Sequence, residues 1–194
     1  MRSDPTTIKF KEGDLIGVRS YGFVGSAIRW RTRSRGEERT EVNHWGVITS
    51  SGPWNRARIT EAVWPGVIEH TMSRAFPPTR RCDFCVIRPV NLTKGQTNAL
   101  VDRVLDFVGL KYGWFKIVLH LLGMERLISG SSRSIICNLV AVEGYGVPAI
   151  RQTFGLEHPL ASDPDDIGDY LRKADRSEFL WIKDLHLLTN GGSK

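Results

Sequence analysis

The chain has 194 residues, of which 41% are hydrophobic and 25% are charged, and this is the composition of a globular protein with room for one core. Its three cysteines cannot form a disulfide scaffold, the N-terminal residues lack the apolar core of a signal peptide, and no apolar run reaches the ~20 residues of a membrane span. We therefore expect one cytoplasmic domain over residues 1–194, with its core at about 13–185 and no transmembrane segment.

The formal net charge is +6 and the sequence pI is near 9.5, which favours anionic partners such as cell-wall polymers or lipid surfaces. A basic solvated surface with no partner is an equally good interpretation. Five arginines lie between positions 29 and 39, but three glutamates between 37 and 41 dilute them. No nucleic-acid-binding motif accompanies this cluster, so we predict no nucleic-acid partner.

The first half of the sequence favours strands separated by turn residues. A helix is expected at 23–30 and an exposed loop at 31–43, and Trp64-Pro65-Gly66 supplies a turn. The expected strands lie at 13–18 (with its opening turn), 45–49, 58–63, 66–69 and 83–90.

The second half favours helices. Thr93 and Gln96 fit a capping box, an apolar stripe of helical period follows, and Gly109 ends it. Further helices are expected at 114–122, from Cys137 onward and after a second capping box at 162–165, with a last strand at 179–182. Strands followed by helices indicate an α+β class.

Three residues suggest chemistry. Cys137 reads as a thiol at the start of a buried helix, where exposed N–H groups favour the thiolate. His44 leads one strand and Glu61 lies on the next, and because adjacent strands are ~4.8 Å apart, an aligned Glu61 reaches the His44 ring. A Cys–His–Glu hydrolytic site is therefore a hypothesis of the sequence.

The same segments resemble the permuted branch of the papain-like thiol hydrolases in the NlpC/P60 superfamily, most closely the YiiX/YebB-like group. The resemblance spans roughly residues 13 to 170. The matching pieces, in order, are Gly13-Asp14-Leu15-Ile16, Ala27-Ile28-Arg29-Trp30, His44 with Gly46-Val47, Glu61-Ala62 with Gly66-Val67, Gly109-Leu110-Lys111-Tyr112, and Cys137 with Leu139-Val140-Ala141 and Tyr145.

The resemblance implies an α+β, permuted papain-like fold, with a central antiparallel sheet packed by helices. It implies that Cys137 is the nucleophile, His44 the general base and Glu61 the residue that orients His44. Supporting or substrate-binding roles fall to Tyr112, Asn138 and Trp45. Asn138 departs from the family, which commonly has a small hydroxyl residue after its cysteine.

The implied activity is that of a cysteine peptidase or amidase acting on a peptide or cell-wall fragment, with neither a cofactor nor a metal. Two alternatives remain open. One is a lipid acyltransferase or phospholipase that uses the same thiol, for which an apolar helix at 114–122 would suit a lipid surface. The other is a non-catalytic binding domain.

Each candidate also has a structural interpretation. Cys137 alone would more often be a small buried core residue. Cys82 and Cys85 form a Cys-x-x-Cys pair, but in a strand this spacing sends the side chains to opposite faces, which favours a structural role over a zinc or redox site. The other histidines, His70, His120, His158 and His186, show no metal-ligand spacing.

Overall fold

The computed structural model describes residues 7–21, 26, 42–77, 82–113, 134–135, 167–168, 171 and 179–183. In these residues the chain forms eight strands and two helices. In chain order they are β1 (Leu15–Ser20), β2 (His44–Ser50), β3 (Arg58–Val63), β4 (Gly66–Thr71), α1 (Met72–Ala75), β5 (Cys82–Pro89), α2 (Lys94–Leu105), β6 (Lys111–Tyr112), β7 (Ser134–Ile135) and β8 (Phe179–Lys183).

All eight strands belong to one sheet, in the order β7-β6-β4-β3-β2-β1-β5-β8. Every pairing is antiparallel except that of β7, which lies parallel to β6. The described part of the chain is mainly β, so the predicted α+β class with a permuted papain-like fold is wrong. The prediction divided the chain into a strand-rich half and a helix-rich half with one last strand at 179–182. That strand is present as β8, but β6 and β7 from the second half also extend the same sheet.

One face of the sheet packs against helix α2, and we call it the α2 face. Leu100 and Val104 of the helix are buried there in one cluster with Trp45 and Leu15 of the strands. Trp45 is fully buried and lies over Gly17, where a Cβ atom would come within 2.9 Å of the indole ring. The absent side chain at Gly17 therefore makes room for the largest residue of this core.

The opposite face packs against the short helix α1, and we call it the α1 face. Alternation along the strands sends Ile16 and Ile48 to this side, where they join Met72 and Ala75 of the helix. Four aromatic residues complete the cluster, with ring centroids 5.4 to 6.3 Å apart between neighbours: Phe10, Trp54, Phe76 and Phe84. Separate cores on the two faces fix which residues of each strand face which side.

Helix α2 begins with the predicted capping box. The Gln96 backbone N–H donates to the Thr93 hydroxyl at 3.3 Å, and the Thr93 backbone N–H donates to the Gln96 side chain at 2.9 Å. The helix ends at Leu105, four residues before the predicted stop. Gly109 instead serves the turn that follows, with a left-handed φ of 89°, and its N–H donates to the Val67 carbonyl of β4 at 2.9 Å.

An ion pair joins the turn before β1 to the end of β5. Arg88 donates from Nε to one oxygen of Asp14 at 2.7 Å and from Nη2 to the other at 2.8 Å, and the Lys11 N–H also donates to this carboxylate. Asp14 is fully buried, and its hydrogen bonds raise the pKa of Arg88. The Gly13-Asp14 pair of the resemblance therefore has a structural use, because it anchors two neighbouring strands.

Of the helix predicted at 23–30, only Ser26 is described, and it is helical. The helices predicted at 114–122 and from Cys137 lie outside the described residues. Of the helix predicted at 162–171, Ile167, Gly168 and Leu171 are described and helical, and Ile167 and Leu171 are buried on the α2 face. Among the described helices, none has the length and apolar character needed to span a membrane. The single-domain boundary remains a prediction.

Candidate active site

His44 and Glu61 meet on the α1 face of the sheet. His44 begins β2, and Glu61 lies on β3 directly opposite Gly46. His44 is therefore the diagonal neighbour of Glu61 on the same face, a separation that a long side chain spans. The His44 Nε2 atom lies 2.5 Å from Glu61 Oε2.

Gly46 makes this approach sterically feasible. A Cβ atom at Gly46 would lie 2.7 Å from Ile59 Cδ1 and 3.3 Å from the Cβ of Glu61. Real side chains almost never sit so close, so any larger residue would push Ile59 or Glu61 away. The glycine thus allows β2 and β3 to bury the Glu61 side chain between them.

A second imidazole contacts the same carboxylate. Glu61 pairs with Ile68 on β4, so His70 is its diagonal neighbour on that side. The His70 Nε2 atom lies 2.7 Å from Glu61 Oε1. The sequence reasoning missed this residue because it searched the histidines for metal-ligand spacing. The available signal was the tight turn at Trp64-Pro65, which fixes the β3–β4 pairing and brings position 70 beside position 61.

Burial distinguishes the three side chains. Glu61 is 1% exposed, whereas His44 and His70 are 13% and 12% exposed. A buried carboxylate is costly unless donors satisfy it, and here one imidazole serves each oxygen. The two imidazole rings therefore lie between the buried Glu61 carboxylate and the solvent.

Imidazole and carboxylate groups are also metal ligands, but these three are arranged as hydrogen-bonding partners. Each ring nitrogen points to a different carboxylate oxygen at hydrogen-bond distance. Within the described ranges, no group of three or more histidine, cysteine or acidic side chains converges on a metal position. The arrangement suits proton transfer and orientation of an imidazole.

Cys137 and Asn138 lie outside the described residues, but the strand that leads to them is described. Ile135, two residues before Cys137, ends β7. Paired residues trace a row across the sheet from β7 to β2. Ser134 of β7 pairs with Lys111 of β6, Lys111 pairs with Gly66 of β4, and Gly66 pairs with Val63 of β3. Continuing the β2–β3 register places Val63 beside His44. The end of β7 and the start of β2 are therefore at the same end of the sheet.

The two strands are four spacings apart, at about 4.8 Å each. The start of β2 is therefore about 19 Å from the end of β7, and the two residues from Ile135 to Cys137 span at most about 7 Å. A contact between the Cys137 sulfur and the His44 ring requires the chain after Ile135 to run toward β2 over the α1 face, with the two side chains extended toward each other.

Trp45 and Tyr112 are on the other side of the sheet. Trp45 is adjacent to His44 in β2, so alternation sends its side chain to the α2 face, where it is fully buried. Tyr112 of β6 packs, partly buried, against the same cluster. The described geometry therefore places both side chains in or beside the α2-face core and away from His44 and Glu61.

Cys82 and Cys85 occupy opposite faces of β5, as the strand spacing predicts. Cys82 packs against the α1-face core, and Cys85 is fully buried in the α2-face core. The two sulfurs cannot act together at one site because the sheet separates them.

Comparison with known proteins does not assign a function to this chain. No protein-family model matches the chain, and no curated protein matches it. A solved structure, metalloprotein YiiX from Escherichia coli O157:H7, is similar over 93% of this chain and 92% of that chain, with 16% sequence identity and a TM-score of 0.48. This protein bears the name of the group that the sequence resembles. A likeness of this size assigns neither fold nor activity, so the function has to be argued from the site.

Proposed function

We propose that the protein is a cysteine hydrolase of the amidase or peptidase type, with Cys137 as nucleophile, His44 as general base and Glu61 as the residue that orients His44. The observation that carries the proposal is the 2.5 Å contact between His44 Nε2 and the buried Glu61 carboxylate. The nucleophile comes from the sequence, where Cys137 is the cysteine that begins a predicted buried helix and matches the thiol hydrolases.

The His44–Glu61 pair has the properties that a general base requires. Imidazole is the side chain whose proton exchange suits neutral pH. A carboxylate held at one ring nitrogen fixes the orientation of the ring and stabilises the imidazolium that forms during reaction. Because Nε2 contacts Glu61, proton exchange with a thiol would take place at Nδ1.

The proposed reaction has two halves. His44 takes the Cys137 proton, and the sulfur attacks the amide carbonyl carbon to give a tetrahedral oxyanion. The C–N bond then breaks, His44 gives its proton to the leaving amine, and a thioester remains. His44 next takes a proton from water, and the hydroxide attacks the thioester carbonyl carbon. The C–S bond then breaks, the carboxylic acid leaves, and the proton on His44 returns to the sulfur to restore the thiol. Neither a metal nor a cofactor enters these steps.

Cell-wall peptides are the proposed substrate class. Their amide bonds suit the chemistry, and the net charge of +6 favours anionic polymers. With the cytoplasmic location that the sequence predicts, the substrates would be wall fragments taken up for recycling.

The test compares the wild-type chain with Cys137→Ala and a matched Cys82→Ala variant on soluble peptidoglycan fragments, with mass spectrometry of the products. We expect cleavage by the wild type and by Cys82→Ala, because Cys82 packs against the α1-face core outside the proposed site. We expect no turnover by Cys137→Ala. Undiminished cleavage by Cys137→Ala would remove Cys137 from the mechanism.

Two further measurements separate the other functions. Fatty-acid release from phospholipid vesicles without peptide cleavage would indicate that the same thiol acts on lipid substrates, as in an acyltransferase or phospholipase. Iodoacetamide labelling near neutral pH tests whether the thiol is reactive at all, because an inert buried thiol does not alkylate. Failure to label Cys137, together with absence of turnover on both substrate classes, would indicate a binding domain.

A further inference from the structure

Glu61 is shared by two histidines, and the proposed reaction uses only one of them. His44 occupies Oε2 at 2.5 Å and His70 occupies Oε1 at 2.7 Å. The carboxylate is 1% exposed, so solvent contributes little to its hydrogen bonding. The second imidazole therefore contacts the carboxylate oxygen that His44 does not contact.

The strand register explains why both rings reach the same carboxylate. Glu61 is in the central of three adjacent strands, opposite Gly46 on β2 and opposite Ile68 on β4. His44 and His70 are its diagonal neighbours on the two sides, and all three side chains are on the α1 face. The backbone pairing of β2, β3 and β4 therefore sets the distances between His44, Glu61 and His70.

Hydrogen-bond accounting assigns the protons. An ionised carboxylate only accepts hydrogen bonds, so both Nε2 atoms carry a proton. A neutral His44 in this arrangement is the Nε2–H tautomer, and its proton-accepting atom is Nδ1. If Glu61 were instead protonated, it would donate to Nε2 of one ring, and the proton of that ring would move to Nδ1. His44 in that second state has no lone pair at Nδ1 with which to accept the thiol proton.

We propose that His70 is a positioning residue that keeps Glu61 ionised and in a fixed orientation, and thereby holds His44 in the Nε2–H tautomer with Nδ1 as the base. His70 donates the second hydrogen bond that a buried carboxylate needs in order to keep its charge. Its hold on Oε1 also prevents the carboxyl plane from rotating away from His44. The catalytic consequence rests on the proposed function, but the tautomer exists whether or not the protein turns over substrate.

The experiment measures the His44 ring directly. Long-range ¹H–¹⁵N correlation spectra of the full chain report which ring nitrogen carries the proton, in the wild type and in His70→Leu and His70→Gln. The amide nitrogen of glutamine takes approximately the position of the histidine Nε2 atom and still donates. We expect the Nε2–H tautomer in the wild type and in His70→Gln, and a shift toward Nδ1–H in His70→Leu.

A second variant guards against misfolding. His70→Asn remains polar, but its amide nitrogen is closer to the backbone than Nε2 and does not reach Glu61, so it should behave like His70→Leu. If the protein hydrolyses amides, kcat should fall by roughly 100-fold in these two variants, with KM little changed and with recovery in His70→Gln.

The outcomes separate this inference from the proposed function. An unchanged Nε2–H tautomer in both His70→Leu and His70→Asn would overturn the positioning role, even in an active enzyme. A shift of the His44 tautomer in His70→Leu and His70→Asn, in a protein that cleaves no substrate, would support the positioning role of His70 and contradict only the hydrolase proposal.

Discussion

The carboxyl group of Glu61 is the residue-scale feature on which the site depends. It is 1% exposed and accepts from two imidazoles, whereas Glu69 on the next strand is 21% exposed and pairs with Arg58 at 2.7 Å. The two glutamates face opposite sides of the sheet, since Glu69 joins Thr49 on the α2 side. Partly exposed ion pairs contribute little to stability, so Glu69 is a natural control for a charge removed from this sheet.

Replacing Glu61 by glutamine should abolish the function of the pair while preserving its shape. The amide offers one acceptor and one donor, so its NH₂ group would face an imidazole that also donates, and one ring would have to change tautomer. We expect kcat to fall by about 10²- to 10⁴-fold in Glu61→Gln, the range contributed by a positioned general base.

Glu69→Gln should keep near wild-type turnover in the same steady-state assay, because the Glu69 side chain lies on the α2 face, opposite the face that carries His44 and Glu61. Equal losses in the two variants would point to damage of the sheet as a whole. Full activity in Glu61→Gln would show that His44 acts without its carboxylate.

Part of this site was accessible from the sequence. The approach of Glu61 to His44 was expected from the two strands that carry them, and the contact is present. Side chains alternate between the two faces of a strand, so Trp45 faces the side opposite to His44, its neighbour in sequence. The prediction of a site role for Trp45 did not take this alternation into account. The partnership of His70 depends on the β3–β4 register, which single-residue inspection does not supply. The catalytic roles remain predictions.

At the scale of elements, the packing of β3 side chains over β2 depends on Gly46. Its missing side chain leaves the space that Ile59 and Glu61 fill. Gly95, in the first turn of α2, is the opposite case, since a Cβ atom there would meet nothing within 4 Å. The same substitution at the two glycines therefore isolates the packing effect from the general effect of removing a glycine.

Gly46→Ala should lower the free energy of unfolding by about 1–3 kcal/mol, the usual cost of overpacking a core. Gly95→Ala should leave it unchanged or raise it by about 0.5 kcal/mol, because alanine restricts the unfolded chain and favours the helix. Denaturant unfolding followed by circular dichroism measures both. An unchanged free energy of unfolding in Gly46→Ala would mean that the Ile59 and Glu61 side chains shift at no cost, contrary to the overpacking expected here.

Six strands could be predicted to within two residues, and two strands could not. Strands β1 to β5 are apolar segments with turn residues between them, β3 was predicted with its observed limits, and β8 extends one residue beyond its predicted end. Strands β6 and β7 are two residues long, which is too short for any periodicity, and their pairing depends on neighbours far away in sequence. The fold class was wrong for the same reason, because the second half joins the sheet through these short edges.

At the scale of the whole molecule, the described part of the sheet has its longest ladders in the middle and its shortest at the β6–β7 edge, from which the chain continues toward Cys137. Continuous ladders join β4, β3, β2, β1 and β5, and both cores cover these strands. Strand β6 meets β4 through one residue pair, Gly66 with Lys111, and β7 meets only β6 in the described part of the sheet. The histidines and Glu61 are thus on the rigid part, and the chain that carries the predicted nucleophile departs from the weak edge.

Native-state hydrogen exchange should reveal this gradient. Amides of β2 and β3 should exchange only through global unfolding, because their opening breaks ladders on both sides and exposes both cores. Amides near 109–113 should exchange faster through local opening, since a few bonds such as Tyr112 N–H to the Pro65 carbonyl hold them. Mass spectrometry of peptic peptides that cover 44–50 and 109–113 separates the two regions.

Hydrogen exchange after alkylation of Cys137 tests whether this thiol lies beside His44. If the thiol sits beside His44, an adduct that fills the site adds contacts between the weak edge and the rigid strands. Exchange near 109–113 should then slow in the alkylated protein, while exchange in 44–50, already limited by global unfolding, changes only as far as overall stability does. An adduct that slows neither region would indicate that Cys137 reacts in solvent, apart from His44 and Glu61. Equal protection of both regions before labelling would contradict the weak edge itself.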